Sequence, residues 1–559
     1  MSATLADAPH APPSPQYRWA APGDINAFFG LMLDNIGNMI LMASLLVLTF
    51  GMPVDFVLTR MIPGTGVGVM VGDLIYTVMA FRLAKRTGRS DVTAMPLGLD
   101  TPSTFGSVFL IIGPAYLAAG KRGLDPTAAA RHAWFLGVAM IFASGIFKLV
   151  CAVFSGLVRK VVPRAGLLGS LTAIALVIIS FLPLIDIAAQ PVAGFAALAV
   201  VLVTLTARWE LPWRIPGALA GLAVGCVVYY GMHLCGLGPG LGAEGGPSPV
   251  GFRPGLHMRV EAWLAWFHLN GREVVSYLPV AIPLALATVV GGIDCTESAA
   301  VAGDDYPTGT VIAVEGVATL AGGLFGGVIQ STPYIGHPAY KAMGARAGYT
   351  LATALFVGGA GVLGYFDWIF YVIPKPVVFP ILIFVGLEIT AQSFHATPRR
   401  HYPAVALACV PALAYLARLA VDQVLPATPA AFTHLSPQAQ HWVQTDLMLA
   451  NGFIVTSLLW GTMLAHMIDG RIKSAAVTAA LAGVFAWFGI IHSPLGGSPI
   501  VGPAEAVARL ATEGRAAAAA LQTPYHVAAA YVTVAAVLLG VGLLGTPPTS
   551  GAQNQPHAS

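Results

Sequence analysis

Thr93-Ala94-Met95-Pro96-Leu97-Gly98-Leu99-Asp100-Thr101-Pro102-Ser103-Thr104 and Gln330-Ser331-Thr332-Pro333-Tyr334-Ile335-Gly336-His337-Pro338-Ala339-Tyr340 are polar, interrupted by glycine and proline, and set in long apolar surroundings. Proline removes a backbone donor and disfavours helix in the residue before it, so each stretch reads as an extended segment leading into a half-helix. Non-helical backbone at membrane depth survives only where protein or a watery cavity satisfies it. The N-terminus of a half-helix aims unpaired N–H groups and the positive end of its dipole into that cavity. The two stretches together mark a binding site for something polar or anionic. The alternative is a pair of kinked helices packed for shape alone.

The surroundings are those of a membrane. Of 559 residues, 56% are hydrophobic and 9% are Asp, Glu, Lys or Arg, against roughly 25% charged in soluble domains. The 63 Gly and 41 Pro break apolar runs rather than polar ones, which is how transmembrane helices are kinked and closely packed. A net charge of +3 from 28 basic and 25 acidic residues gives no reason to expect nucleic acid as a partner. The partners expected are a small-molecule substrate and the lipid bilayer. Cys151, Cys226, Cys235, Cys295 and Cys409 are scattered, form no CxxC pair, and read as small apolar residues. No HExxH or GxSxG constellation occurs on a span, so no enzyme, cofactor, catalytic residue or metal ligand is expected.

A helical span needs about 20 mostly apolar residues. The first series of candidates falls near 28–51, 67–84, 91–117, 133–158, 166–184, 191–207 and 215–235. A Gly/Pro-rich loop with an amphipathic piece at 260–269 follows. The second series is 274–302, 310–328, 331–343, 347–366, 372–394, 402–419 and 447–468, and two further apolar stretches lie at 474–491 and 527–544. The expected fold is an all-α polytopic membrane protein of fourteen, or up to sixteen, spans. Its parts are a cytoplasmic tail (1–24), a first seven-span repeat (25–235), an extracytoplasmic loop (236–272), a second repeat (273–470), additional C-terminal spans (471–546) and a tail (547–559). Basic residues follow the even-numbered spans (Lys85, Arg86, Arg89; Arg159, Lys160, Arg164; Arg399, Arg400; Arg471, Lys473), which places the N-terminus in the cytoplasm of an inner (plasma) membrane protein. Lys121 and Arg122 run against this rule.

The two sevens look related. Val161-Val162-Pro163-Arg164 opens the fifth span and Val372-Ile373-Pro374-Lys375 the twelfth. The third and tenth share a proline followed four residues later by an ionisable group, Asp100 or His337. The first and eighth carry Asp34 and Asp294, the second and ninth Asp73 and Glu315. Because seven is odd, the second copy enters from the opposite side, making an inverted repeat.

Ionisable groups inside spans cost at least about 2.5–3.5 kcal/mol each on insertion scales, so those present need a reason. Asp294 and Glu297 lie three residues apart on one helical face. Either is a substrate or ion contact, or Glu297 is a wetted helix-end acid with Asp304 and Asp305 just beyond. Asp34, beside Asn35 and Asn38, either braces the first helix through a network or binds a ligand. His337 in the broken tenth span is a site residue or a hydrogen-bonded structural one. Lys148 neutralises one of these acids or snorkels, and Glu388 is a gate contact or a packed helix-end acid. Asp73 and Glu315 are expected to serve bundle packing.

The pattern resembles the nucleobase–cation symporter-2 superfamily, the xanthine/uracil permeases, nearest the adenine/guanine/hypoxanthine permease branch and as a divergent subgroup. Pro96-Leu97-Gly98-Leu99-Asp100 is similar to that branch's Pro-Gly-Met-Gly-Leu-Asn motif, and Ser331-Thr332-Pro333-Tyr334 to its Thr-Thr-Thr-Tyr run. Ile373-Pro374 through Pro380-Ile381-Leu382-Ile383-Phe384-Val385-Gly386 is similar to its twelfth span. The resemblance implies a core domain (spans 1–4 and 8–11), a gate domain (5–7 and 12–14), elevator-type alternating access, proton or sodium symport and a homodimer through the gate domain. The family's glutamate after the Thr-Tyr run falls here on Gly336, with His337 beside it, and its span-8 glutamate on Asp294 or Glu297. Substrate contacts are thus expected from Asp294, Glu297, His337, Gly98, Asp100, Thr101, Thr332, Tyr334 and Gly336, with Asp34, Asn35 and Glu388 in a coupling or core network. The implied function is proton-coupled symport of a purine, a pyrimidine or a similar small polar solute. The alternative is an inorganic-anion or carboxylate transporter of the sulfate-permease type, which shares this fold; His337 facing helix N-termini suits an anion, whereas the short polar tail after the last span lacks the soluble domain usual there.

Overall fold

The computed structural model of the chain describes residues 17–155, 164–212, 215–237, 271–334, 336–395, 397–425, 432–496 and 500–545. The piece at 260–269, nearly all of the loop at 236–272, residues Val161 to Pro163, residues 1–16 and the tail from 547 lie outside them. The long apolar runs form helices: α1 Gly23–Thr49, α2 Val54–Thr87, α3 Thr101–Lys121, α4 Pro126–Val153, α5 Leu168–Ala189, α6 Pro191–Thr206, α7 Gly217–Leu234, then α8 Gly271–Val301, α9 Thr308–Leu324, α10 His337–Ala342, α11 Gly348–Val362, α12 Phe366–Val372, α13 Lys375–His395 and α14 Tyr402–Val424. They end with α15 Pro437–Ala450, α16 Phe453–Ile468, α17 Ile472–Trp487, α18 Pro503–Thr512 and α19 Pro524–Leu544. Two short strands, β1 Leu97–Leu99 and β2 Ser331–Pro333, precede α3 and α10.

Local chemistry sets the helix ends. Asp125 accepts from the Thr127 and Ala128 N–H groups and Pro126 opens α4, where its missing N–H is one that has no helical partner. α2 stops at Gly88, whose φ of 67° is left-handed, a conformation that glycine adopts without a Cβ clash. Among the described residues, ten helices are long and apolar enough to cross a membrane, twelve if two bent pairs count as one span each: α11 with α12 (88°) and α15 with α16 (71°). α6, α9 and α17 are shorter apolar helices.

Packing follows the seven-span repeat. The second span (α2) packs on the eleventh (α11) as the ninth (α9) packs on the fourth (α4), and α1 meets α11 as α8 meets α4. Adding seven to the span number carries each pair onto the other. These spans are the core. In the gate, α5 packs on α14 as α13 packs on α6, and α6 meets α7 as α14 meets α16. The two bodies touch where α1 meets α13, α3 meets α5, and α8 meets α16. The chain is therefore an all-α multi-pass membrane protein with a core and a gate built from inverted repeats.

Small residues bring the core helices close together. A Cβ on Gly64 would lie 2.1 Å from the Gly327 nitrogen, just past the end of α9, and one on Gly316 of α9 would lie 3.1 Å from the Gly145 carbonyl oxygen on α4. Without a hydrophobic force between helices in lipid, such backbone contact is the main source of packing energy. Beyond the two sevens, α17 pairs with α19 and leans on α16, where the Tyr531 hydroxyl accepts from Trp460 Nε1 at 2.7 Å and bonds His492 Nε2 at 2.8 Å.

Candidate functional site

β1 and β2 pair antiparallel in the middle of the core, Leu97 opposite Pro333, Gly98 opposite Thr332 and Leu99 opposite Ser331. The Asp100 N–H donates to Gln330 O at 2.9 Å and the Tyr334 N–H to Pro96 O at 2.8 Å, so the ladder runs one residue past each strand. Strand geometry turns the N–H and C=O groups of alternate residues away from the partner, and a buried ribbon leaves them without water. Side chains close this gap. Asp73 Oδ1 accepts from Leu97 N–H and Asn35 Oδ1 from Leu99 N–H, both at 2.9 Å. The Asn35 and Asn38 amides donate to Leu97 O and Leu99 O at 3.3 and 3.5 Å. On the other edge Thr319 Oγ1 accepts from Ser331 N–H at 3.2 Å, Lys148 Nζ donates to Ser331 O at 2.9 Å and Cys295 Sγ to Pro333 O at 3.4 Å. Pro333 has no N–H to satisfy, which is one physical reason for a proline there.

This corrects the expectations for Asp73 and Cys295 and decides between the two alternatives for Lys148. Asp73 serves the strand edge rather than bundle packing. Glu315 forms an ion pair with Lys148 at 2.8 Å in which both side chains are 0% exposed, so Lys148 neutralises an acid and does not snorkel. Cys295 is a strand-edge donor rather than an apolar filler.

Around the ribbon the site residues gather on one face and spread on another. Asp100 holds an extended conformation at the start of α3, and its Oδ2 accepts from Ser103 N–H at 2.8 Å. Asp34, 8% exposed on α1, places Oδ2 3.5 Å from where a Cβ on Gly98 would lie, and Asp100 is the neighbouring charge that acts on it. The Tyr334 ring fills the space left by the missing side chains of Gly98 and Gly336, and stacks on Tyr340 with centroids 6.1 Å apart. The charges of Asp34 on the core and Glu388 on α13 of the gate both act on Tyr334. Thr101 is buried in the first turn of α3, Thr332 is half-buried on β2, and Glu388 is exposed. Asp294 and Glu297 are half-buried, nearly one turn apart on α8.

His337 lies elsewhere. It is 1% exposed at the start of α10, with Nε2 3.2 Å from Thr93 O and 3.4 Å from Asp304 Oδ2. Asp304, fully buried, also accepts from Lys341 Nζ at 2.6 Å and Thr93 N–H at 3.0 Å, and pairs with Arg89 at 3.3 Å. Tyr306 donates to Thr93 O at 2.7 Å and Arg89 donates to Gly303 O. Burial alone pushes the Asp304 carboxyl up, but the hydrogen bonds from His337, Lys341 and Thr93 outweigh it and hold Asp304 below the usual carboxylate range. Thr93 and Asp304 are 211 residues apart, and no local motif announces their contact; Lys341, Tyr306 and Thr319 were missed for the same reason.

No family model and no curated protein matches the chain. Solved structures do. The transmembrane domain of a cyanobacterium bicarbonate transporter, BicA, is 14% identical, covering 79% of this chain and 97% of that one with a TM-score of 0.42. The overall structure of SLC26A9 is 12% identical, covering 71% and 62% with a TM-score of 0.45, so the chain spans less than two thirds of its length. The murine Slc26a9 anion transporter, inward-facing, is 14% identical, covering 80% and 67% with a TM-score of 0.44. The likeness is one of fold. The resemblance to the nucleobase–cation symporter-2 superfamily is thereby corrected, since these matches are anion transporters. The motifs behind it, Pro96 to Asp100 and Ser331 to Tyr334, form the ribbon and lead into α3 and α10. The chain is a multi-pass membrane protein.

Proposed function

We propose that this chain is a secondary active transporter of a small anion, inorganic or carboxylate, of the sulfate-permease type. One observation carries the reading: α3 and α10 start from opposite ends of a single buried ribbon, so two positive helix ends flank it. The anion binds there against Gly98, Asp100, Thr101, Thr332, Tyr334 and Gly336, with Asp294 and Glu297 on α8 of the core. Asp34, Asp100 and Glu388 line or face the same space, so an anion enters only with a proton or sodium ion that offsets them, which makes coupling obligatory. Movement of the core (spans 1–4 and 8–11) against the gate gives elevator-type alternating access, with the N-terminus cytoplasmic and two copies joined through the gate. The repeats occupy 25–235 and 273–470, and the helices after 470 are additions.

The same acids favour a second reading, a cationic or hydrogen-bond-donating solute. Uptake into proteoliposomes under an inward proton gradient, with sulfate, nitrate, formate and succinate in one panel and small amines in the other, separates the two. Accumulation of an anion supports the first; accumulation of amines alone refutes it.

A further inference from the structure

We propose that Asp100 is the proton-binding residue that couples transport: deprotonated, its carboxylate cap repels an anion from the end of α3, and a proton on it lifts that repulsion while the cap stays in place. This rests on the anion reading above. The backbone of Asp100 is fixed on both sides. Its N–H donates to Gln330 O at 2.9 Å, and its carbonyl oxygen accepts from the Thr104 N–H at 2.9 Å, from Thr104 Oγ1 at 2.9 Å and from Ser103 Oγ at 3.2 Å. The side chain alone is left to change state, and it holds the Ser103 N–H at 2.8 Å. α3 runs on from there to Lys121.

A second observation points to an occupant. The Asp34 carboxylate, 8% exposed, is aimed at Gly98 two residues before Asp100 and accepts no hydrogen bond from a described residue. Two carboxylates thus face one small space beside a helix end. The ionisable groups that act on Asp100 are Asp34 on α1, Lys148 on α4 and Glu315 on α9; α8, which packs on the start of α3, carries Asp294 and Glu297, and Glu388 on α13 faces Tyr334. Lys148 is already matched by Glu315 at 2.8 Å and leaves no net positive charge for the site.

A helix end carries about half a positive unit charge, so a charged cap leaves it net negative toward a second anion. A protonated cap leaves it positive, and its carbonyl oxygen still accepts from Ser103 as a neutral asparagine cap does. The proton enters from the side on which the site is open, forms one O–H bond at Asp100, travels with the anion and is released to water on the other side. One proton moves per anion.

The test is binding of sulfate, nitrate and formate to the purified full chain by calorimetry from pH 5 to 8, with counterflow in proteoliposomes. The wild type should lose affinity about tenfold per pH unit on the alkaline side, the slope of one linked proton. Asp100→Asn should hold affinity at its acid plateau across the range and lose accumulation driven by a proton gradient; Asp100→Ser is the second neutral cap if the amide misfolds. A wild-type slope retained in either variant, a flat wild-type profile, or binding that needs sodium and ignores pH overturns the inference and leaves the anion reading standing. No binding of any anion by the wild type overturns both.

Discussion

Replacing Lys148 by methionine keeps the length of the side chain and removes one of two opposite charges that no water reaches. Nζ and Oε1 of Glu315 are 2.8 Å apart and both side chains are 0% exposed. At that separation the attraction is about 6 kcal/mol at an effective dielectric of about 20, and most of it offsets the desolvation of the two ions. Removing one partner leaves the other buried and uncompensated, so Lys148→Met should destabilise the core by about 3–5 kcal/mol. Lys148 also donates to Ser331 O at 2.9 Å, so the loss reaches the strand edge that positions the site. In Lys148→Met/Glu315→Leu the stranded charge is gone and the Ser331 carbonyl keeps only the 3.4 Å hydrogen bond from Thr319 Oγ1, a residual of about 1–3 kcal/mol. Unfolding of the four proteins of this cycle, followed by tryptophan fluorescence in detergent, measures the coupling. A double variant as unstable as the sum of the single ones, or a Lys148→Met protein as stable as the wild type, refutes the reasoning.

Asp304 has its carboxyl held below the usual range, so its contribution to stability is full above the unfolded value of about 4 and is lost as pH falls through the folded one; thermal unfolding from pH 7 to 3 should show that acid-side loss in the wild type and not in Asp304→Asn. Gly64→Ala drives a Cβ toward the Gly327 nitrogen at 2.1 Å and should destabilise by about 1–3 kcal/mol, whereas Gly120→Ala, whose Cβ meets nothing within 4 Å, should not; melting temperatures compare them directly. Glu297→Gln should abolish uptake while the protein still inserts into the membrane, Glu388→Gln should be milder, and His337→Ala, which removes a partner of buried Asp304, should lower the melting temperature; wild-type uptake in Glu297→Gln would place the site elsewhere.

The scarcity of charge, the apolar runs and the two Gly/Pro-broken stretches determined a membrane fold of two inverted sevens with short extended segments in its third and tenth spans. These are local properties: proline forbids helix next to itself, and a span is a run of apolar residues. The paired acids at matching positions were legible for the same reason. Their partners were not. That Asp73 meets Leu97, that Lys148 meets Glu315 rather than another acid, and that His337 turns to Asp304 depend on which helices touch, and those contacts join residues 24 to 167 positions apart. The motifs that resembled nucleobase carriers encode how the backbone crosses the core. What enters that crossing depends on the side chains that the tertiary structure brings around it, Asp34, Asp100, Tyr334 and Glu388 among them, because recognition is a matter of charge and hydrogen bonds converging in space.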